Sequence, residues 1–111
     1  MDLIDHARFD ELHQALGKDQ TKMLVELLPA SYEEERARLL EAISAKDIEA
    51  LRRAAHAIKG MAGNMAAQKL AEDARALEIF EGAFDDALND QINRLDQLVS
   101  ETVSAMQAAL T

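Results

Sequence analysis

Cysteine and tryptophan are absent from this 111-residue sequence, proline occurs once, and glycine occurs only four times. Without cysteine the chain has no disulfide framework, no thiol nucleophile and no zinc site built on thiolates. Hydrophobic residues make up 49% of the chain, but they are mostly Ala, Leu, Ile and Met. Because these residues favour helices and the helix breakers are rare, the composition predicts an all-α protein.

Long apolar runs and an excess of basic charge are also missing. No segment approaches the roughly 20 apolar residues that a membrane-spanning helix needs, and no basic segment followed by an apolar one opens the chain. We therefore expect a cytoplasmic protein that does not enter a membrane. The formal net charge of −9 argues against nucleic acid as a partner, because phosphate binding needs a basic face.

Apolar residues recur at every third or fourth position, which indicates amphipathic helices within a single domain of residues 1–111. Residues that commonly cap or end helices divide this pattern into five segments. The predicted helices run from Ile4 to Leu16, from the capping Asp19 onward, from the capping Asp47 to about Asn64, from about Ala67 to Glu81, and from Asp85 or Asp86 to near the end of the chain.

The connections between these helices are short, and Gly17 and Gly82 are expected to end the first and fourth helices. Short connections force neighbouring helices to run antiparallel. The sequence therefore predicts an up-down-up-down antiparallel four-helix bundle with a short extra N-terminal helix. Pro29 lies inside the second helix, where we expect a kink or a restart, because proline lacks a backbone donor and clashes with the preceding turn.

The third helix carries one histidine, His56, away from its predicted core face. That core face consists of Ile48, Leu51, Ala55, Ile58, Ala62 and Met65, which share one stripe of the helix. Gly60 and Gly63 lie on the same outward half as His56, with Lys59 at its flank. Glycine in an exposed helix interior costs roughly 1 kcal/mol relative to alanine. We interpret this cost as the sign of a docking surface.

The chemistry of this outward face suits a phosphoryl acceptor. An exposed imidazole is nucleophilic and partly neutral near pH 7, since its ordinary pKa is about 6.5. Lys59 at i+3 and Arg52 at i−4 are placed to pair with phosphoryl oxygens. A carboxylate-rich pocket that holds a phosphorylated aspartate and a divalent metal would complement this basic patch, and the metal would belong to the partner.

The run His56-x-x-Lys59-Gly60, followed by Asn64, Leu70 and Leu77-Glu78, resembles the signature of histidine-containing phosphotransfer (HPt) domains. The resemblance implies a helical bundle without catalytic activity of its own, which relays a phosphoryl group between the aspartates of two receiver domains. It makes His56 the phosphorylated residue on its solvent-facing ring nitrogen, Lys59 the helper cation and Gly60 the clearance for the receiver. Glu78 would orient the ring by bonding its other nitrogen.

The resemblance also implies which proteins bind this chain. They are receiver domains of a hybrid histidine kinase, of response regulators, or of both, with Mg²⁺ in the receiver and no cofactor or metal in this chain. Four residues around His56 are the candidate partner contacts, namely Arg52, Arg53, Gly63 and Asn64. We expect the protein to act as a monomer.

Three positions depart from the pattern that the resemblance implies. Family members often have small hydroxyl residues after the Lys-Gly pair, where this chain has Met61 and Ala62. They also often have glycine in the turn before the next helix, where this chain has Ala66. If that turn needs a left-handed residue, alanine adds a conformational cost of about 1 kcal/mol.

Other readings of the same residues stay open at the level of sequence. The main alternative is a non-phosphorylated helical adaptor that binds a partner through the same exposed face. Glu78 could instead pair with Arg75 at i−3. A metal or hydrolytic enzyme is the weakest reading, because the sequence shows no nucleophile and base pair. Its candidate ligands all come from one helix without a shielding shell, namely His6, Asp10 and His13.

Overall fold

The computed structural model describes residues 2–111, and over that range it contains five α-helices and no strand. The all-α fold class is therefore confirmed. None of the helices in this range is long and apolar enough to cross a membrane. The helices are α1 (His6–Leu16), α2 (Lys18–Ala45), α3 (Ile48–Asn64), α4 (Gln68–Glu78) and α5 (Asp86–Ala109).

Aspartates cap the first, third and fifth helices. Asp47 Oδ1 accepts a hydrogen bond from the Ala50 N–H at 3.0 Å, and Asp85 accepts one from the Ala87 N–H at 3.1 Å. Asp5 accepts from Arg8 in the same way at the start of α1. Each carboxylate satisfies a backbone donor that the first helical turn leaves unpaired, and this fixes where each helix begins. The predicted cap of α3 at Asp47 is confirmed, and α5 begins where the sequence predicts.

A single residue, Gly17, separates α1 from α2. Its φ of +83° lies in the region that glycine reaches without strain, so the chain turns between the two helices within that residue. The prediction that Asp19 caps α2 is wrong, because α2 begins at Lys18 and Asp19 lies in its first turn. The Thr21 hydroxyl donates to the Gly17 carbonyl at 2.7 Å and helps to hold this first turn.

Pro29 lies within α2 but does not divide it. The helix is continuous from Lys18 to Ala45, so a restart at Pro29 does not occur. Val25 and Leu28 before the proline and Tyr32 after it are all buried on one face. Because tertiary packing supplies most of the stability of a helix in a protein, this burial offsets the single backbone donor that proline removes.

The helices pack around one core. Helix α2 contacts α3 and α5, α4 contacts α3 and α5, and α1 lies against α2. A polar clamp ties α2 to α5 at the edge of the core, where Asp96 accepts from the Tyr32 hydroxyl at 2.6 Å and from Arg36 Nε at 2.8 Å. Burial and the neighbouring Asp96 carboxylate raise the pKa of Tyr32. The largest fully buried side chains are Tyr32, Phe9, Ile4, Leu39, Leu51, Ile58, Leu70, Leu77, Leu88, Ile92, Leu95 and Met106.

The turn from α3 to α4 adopts the conformation for which alanine is costly. Ala66 has a φ of +61°, in the left-handed region. The Ala67 N–H bonds the Ala62 carbonyl at 2.8 Å, and the Ala66 N–H bonds the Gly63 carbonyl at 3.2 Å. This pair of bonds is a Schellman motif, which satisfies two carbonyls at the end of α3. The chain thus keeps the left-handed turn without the glycine that usually relieves its strain.

Helix α4 ends earlier than the sequence predicts. It was expected to run to Glu81 with Gly82 closing it, but its last helical residue is Glu78. The Phe80 N–H bonds the Leu77 carbonyl in a tight turn, and the Phe80 ring meets Phe84 edge to face with centroids 6.3 Å apart. The chain therefore leaves the helix at this turn, and Phe80 packs against Phe84 instead of extending α4. Glu78 is consequently placed at the very end of α4.

Candidate functional site

His56 projects from the outward face of α3. Its side chain is 68% exposed, whereas Leu51, Ala55 and Ile58 on the opposite face of the same helix are fully buried. The helical period of the sequence therefore placed the histidine correctly outside the core. An exposed ring on a rigid helix is accessible to another protein while its backbone position stays fixed.

Glu78 reaches His56 from the end of α4. Its Oε1 lies 3.0 Å from His56 Nδ1, although the two residues are 22 positions apart in the chain. An ionised carboxylate only accepts hydrogen bonds, so the proton of this contact belongs to Nδ1, and we assign the tautomer on that ground. In the neutral ring Nε2 then carries a lone pair.

The same carboxylate also holds Lys59. Lys59 Nζ lies 2.7 Å from Glu78 Oε2, an oxygen that is shielded from solvent. The Lys59 ammonium and, second to it, the hydrogen bond from His56 hold the pKa of Glu78 below its usual range. The structure thus brings together three predicted site residues, with an ionised Glu78 between the two others. The ion pair between Lys59 and Glu78 was not foreseen from the sequence.

Arg52 contacts the main chain just beyond α4. Its Nη2 and Nε lie 2.7 Å and 3.3 Å from the Phe80 carbonyl oxygen, so both N–H groups donate to one backbone acceptor just beyond α4. The guanidinium is half-buried in this contact and faces the loop of residues 79–85. The structure therefore ties Arg52 to that loop.

The remaining predicted contacts lie on α3, and Arg53 lines an open pocket together with Arg52, His56 and Glu78. Gly60 is exposed and Gly63 half-buried, and a β-carbon added to either would meet no atom within 4 Å. Neither glycine is therefore required by packing within the chain. Arg53 is exposed beside an open groove between α2 and α3, and Asn64 is exposed near α1.

Sequence reasoning missed the loop of residues 79–85 as part of the site. Gly82 permits its fold, because a β-carbon there would approach the Phe80 ring to 3.1 Å. The signal in the sequence is Ile79, which follows Leu77 at i+2 and therefore cannot share its face of a helix. Ile79 is 62% exposed beside Glu78, as a residue beyond the helical stripe would be.

Acidic residues do not gather elsewhere into a metal site within residues 2–111. No group of three or more His, Cys, Asp or Glu side chains in that range is arranged to hold a metal ion. His6, Asp10 and His13, which share a helix, do not form one. Among the described residues, the cluster of His56, Lys59 and Glu78 is therefore the main candidate functional site.

A family model described as "Hpt domain" matches residues 6–109 of this chain. The chain belongs to the Hpt domain family. No curated protein matches this chain, and no solved structure does. Membership implies histidine phosphotransfer in a two-component phosphorelay, in which Hpt domains interact with receiver domains. Hpt domains carry the phosphoryl group and are not catalysts in the usual sense.

Proposed function

We propose that His56 is the residue of this Hpt domain that accepts and donates the phosphoryl group. The chain has three histidines, and His6 and His13 both lie on α1. The observation that supports His56 is its 3.0 Å contact with Glu78, which leaves Nε2 as the free ring nitrogen. A side chain that is 68% exposed can enter the acidic pocket of a receiver domain.

Phosphoryl transfer then uses the ring nitrogen that the Glu78 contact leaves free. The Nε2 lone pair attacks the phosphorus of a receiver aspartyl phosphate, an N–P bond forms, and the P–O bond to the aspartate breaks with that carboxylate as leaving group. Nδ1 keeps its proton, so the ring becomes an imidazolium. Glu78 stabilises this positive charge through the Nδ1 contact. The reverse attack, by the aspartate of a second receiver on the N–P phosphorus, returns the ring to its neutral form.

Lys59 serves as the cation that meets the phosphoryl oxygens. It lies one helical turn beyond His56, and in the unphosphorylated protein Glu78 holds its ammonium at 2.7 Å. A phosphoryl group on Nε2 brings about two negative charges next to this ammonium and competes with Glu78 for it. Lys59 thus changes partners when His56 becomes phosphorylated.

The face around His56 receives the receiver domain. Gly60 and Gly63 leave bare backbone there, and Arg53 and Asn64 are exposed on the same side of α3 or at its end. The partners are receiver domains of a hybrid histidine kinase, of response regulators, or of both. Any Mg²⁺ belongs to the receiver, and the chain itself needs no cofactor and has no autonomous catalytic activity.

The arrangement of the whole chain fits a carrier built as one domain of residues 1–111. Contacts between successive helices, together with the contact of α5 with α2, close a ring of four helices. With connections as short as those after α2 and α3, this ring supports the up-down-up-down order of α2 to α5, with α1 as the extra helix. We infer that the protein works as a monomer, with the His56 face free for one receiver at a time.

Phosphotransfer from a receiver tests this proposal. A receiver domain phosphorylated on its aspartate is mixed with the protein, and the label on the protein is measured after acid and after base treatment. We expect an acid-labile, base-stable label that disappears in His56→Gln, because the N–P bond hydrolyses in acid. A label that persists in His56→Gln contradicts the proposal. A protein that takes no label but binds the receiver equally well with Gln at position 56 is the non-phosphorylated adaptor instead.

A further inference from the structure

Arg52 reaches from α3 to the main chain just after α4. Its guanidinium donates to the Phe80 carbonyl through Nη2 at 2.7 Å and through Nε at 3.3 Å. Phe80 lies two residues beyond Glu78, the carboxylate that faces His56. Arg52 therefore fixes the backbone within two residues of the group that orients the histidine.

The backbone at that point is also held locally, because the Phe80 N–H bonds the Leu77 carbonyl and the Phe80 ring packs against Phe84. Glu78 is the last residue of α4, where the final carbonyls of a helix lack partners within it. Ile79, the next residue, is 62% exposed and adds little packing. A cation near the C-terminus of a helix also interacts favourably with the helix dipole. The Arg52 contact thus adds a restraint at the end of α4 that comes from α3, the helix that carries His56.

We propose that Arg52 is a positioning residue, which holds the Phe80 carbonyl and thereby keeps Glu78 against His56 Nδ1. Arg52 and His56 are four residues apart on α3, so they lie on adjacent turns of one face. Helix α3 therefore carries both His56 and the arginine that sets the distance between His56 and Glu78. The importance of this role for transfer rests on the proposed function of His56, but the contact itself can be measured without any phosphoryl donor.

The tautomer of His56 reports this contact directly. Long-range ¹H–¹⁵N spectra of the full unphosphorylated chain distinguish a protonated Nδ1 from a protonated Nε2, at a pH about two units above the ordinary histidine pKa. We expect the Nδ1–H form in the parent and a shift toward Nε2–H in Glu78→Ala. Arg52→Ala should shift the ratio of the two forms in the same direction, by about tenfold, as expected when a charge-assisted hydrogen bond is weakened.

Two further variants separate positioning from general destabilisation. Arg94→Ala removes an exposed arginine that faces the groove between α4 and α5, away from His56, and it should leave the tautomer at the parent value. Arg52→Ala combined with Glu78→Ala should show no larger shift than Glu78→Ala alone, because Arg52 acts through Glu78. Where Arg52→Ala does not fold, Arg52→Gln replaces it, because glutamine is too short and uncharged to hold the Phe80 carbonyl, and the same shift is expected.

A parent-like tautomer in the folded Arg52 variant, alongside a shifted one in Glu78→Ala, would overturn the proposal. So would a parent protein in which Nε2 carries the proton. A shifted tautomer in the Arg52 variant together with a His56 that accepts no phosphoryl group would overturn the proposed function and leave the positioning role of Arg52 standing.

Discussion

His56 Nδ1 lies 3.0 Å from Glu78 Oε1, and this contact sets the chemistry of the ring. It places a proton on Nδ1, leaves the lone pair on Nε2, and puts a negative charge where an imidazolium would need it. The other carboxylate oxygen holds Lys59 at 2.7 Å. One glutamate thus controls both the tautomer of the histidine and the resting position of the nearest cation.

The first prediction concerns the pH at which this cluster stabilises the fold. The pKa of Glu78 is lower in the folded protein than its ordinary value of 4.5. The ionised carboxylate therefore adds stability above about pH 4.5, and this contribution is lost as the pH falls through the lowered folded-state pKa. Denaturant unfolding of the parent and of Glu78→Gln at several pH values should show a difference that shrinks in acid. A pH-independent difference would contradict the prediction.

Side chains at the exposed glycines should raise stability, and a large side chain at Gly60 should reduce phosphotransfer. A β-carbon at Gly60 or Gly63 would meet no atom within 4 Å, so Gly60→Ala and Gly63→Ala should each raise the free energy of unfolding by up to about 1 kcal/mol. Gly60→Gln should fold but lose most phosphotransfer, because its side chain blocks the receiver. Gly82→Ala is the contrast, since its β-carbon would approach the Phe80 ring to 3.1 Å and it should gain less stability than the other two. Full transfer by Gly60→Gln would remove the clearance role.

Lys69 is a matched control for the substitution of Lys59. Lys59 and Lys69 are both 33% exposed, and each pairs with a carboxylate, Lys69 with Asp73 at 3.0 Å. Lys59→Ala should slow transfer to His56 about tenfold or more while changing receiver affinity much less, because the ammonium acts on the phosphoryl group in transfer. Lys69→Ala should transfer at the parent rate. Equal rates for Lys59→Ala and the parent would exclude the lysine from the mechanism.

Within residues 2–111, two residues other than glycine adopt a left-handed conformation, and we predict which of them gains more stability when it is replaced by glycine. Lys46 has a φ of +54° and is exposed, and Ala66 has a φ of +61° and is buried. Lys46→Gly should raise stability by about 1 kcal/mol, because it relieves left-handed strain without losing packing. Ala66→Gly should gain less, since it also gives up a buried methyl group worth up to about 0.8 kcal/mol. Thermal or urea unfolding of the two variants measures this order, and a larger gain at Ala66 would contradict it.

Helix α3 shows how much the sequence could predict. Its cap follows from Asp47, and its core stripe and the outward placement of His56 follow from a regular period over 17 residues. The structure confirms them, except that Ile48 is only partly buried and Ala54 joins the core. Periodicity is a local property, and a long amphipathic helix reveals it clearly. The family resemblance added Glu78, which no local pattern connects with His56.

The parts that the sequence did not predict depend on contacts between distant residues. The sequence places the end of α4 too late because Ile79 and Phe80 continue the apolar composition, whereas in the structure the chain leaves the helix and Phe80 packs against Phe84. The ion pair of Lys59 with Glu78 and the bond of Arg52 to the Phe80 carbonyl join residues on different helices and loops. Their partners are selected by the packing of α3 against α4.

The site of phosphorylation on the ring tests the central claim most directly. The protein, labelled with ¹⁵N in its histidines, is phosphorylated by a receiver domain, and long-range ¹H–¹⁵N spectra identify the phosphorylated nitrogen. The hydrogen bond between Nδ1 and Glu78 predicts a single phosphoryl group on Nε2 of His56, with Nδ1 still protonated. A phosphoryl group on Nδ1, or on His6 or His13, would contradict this account.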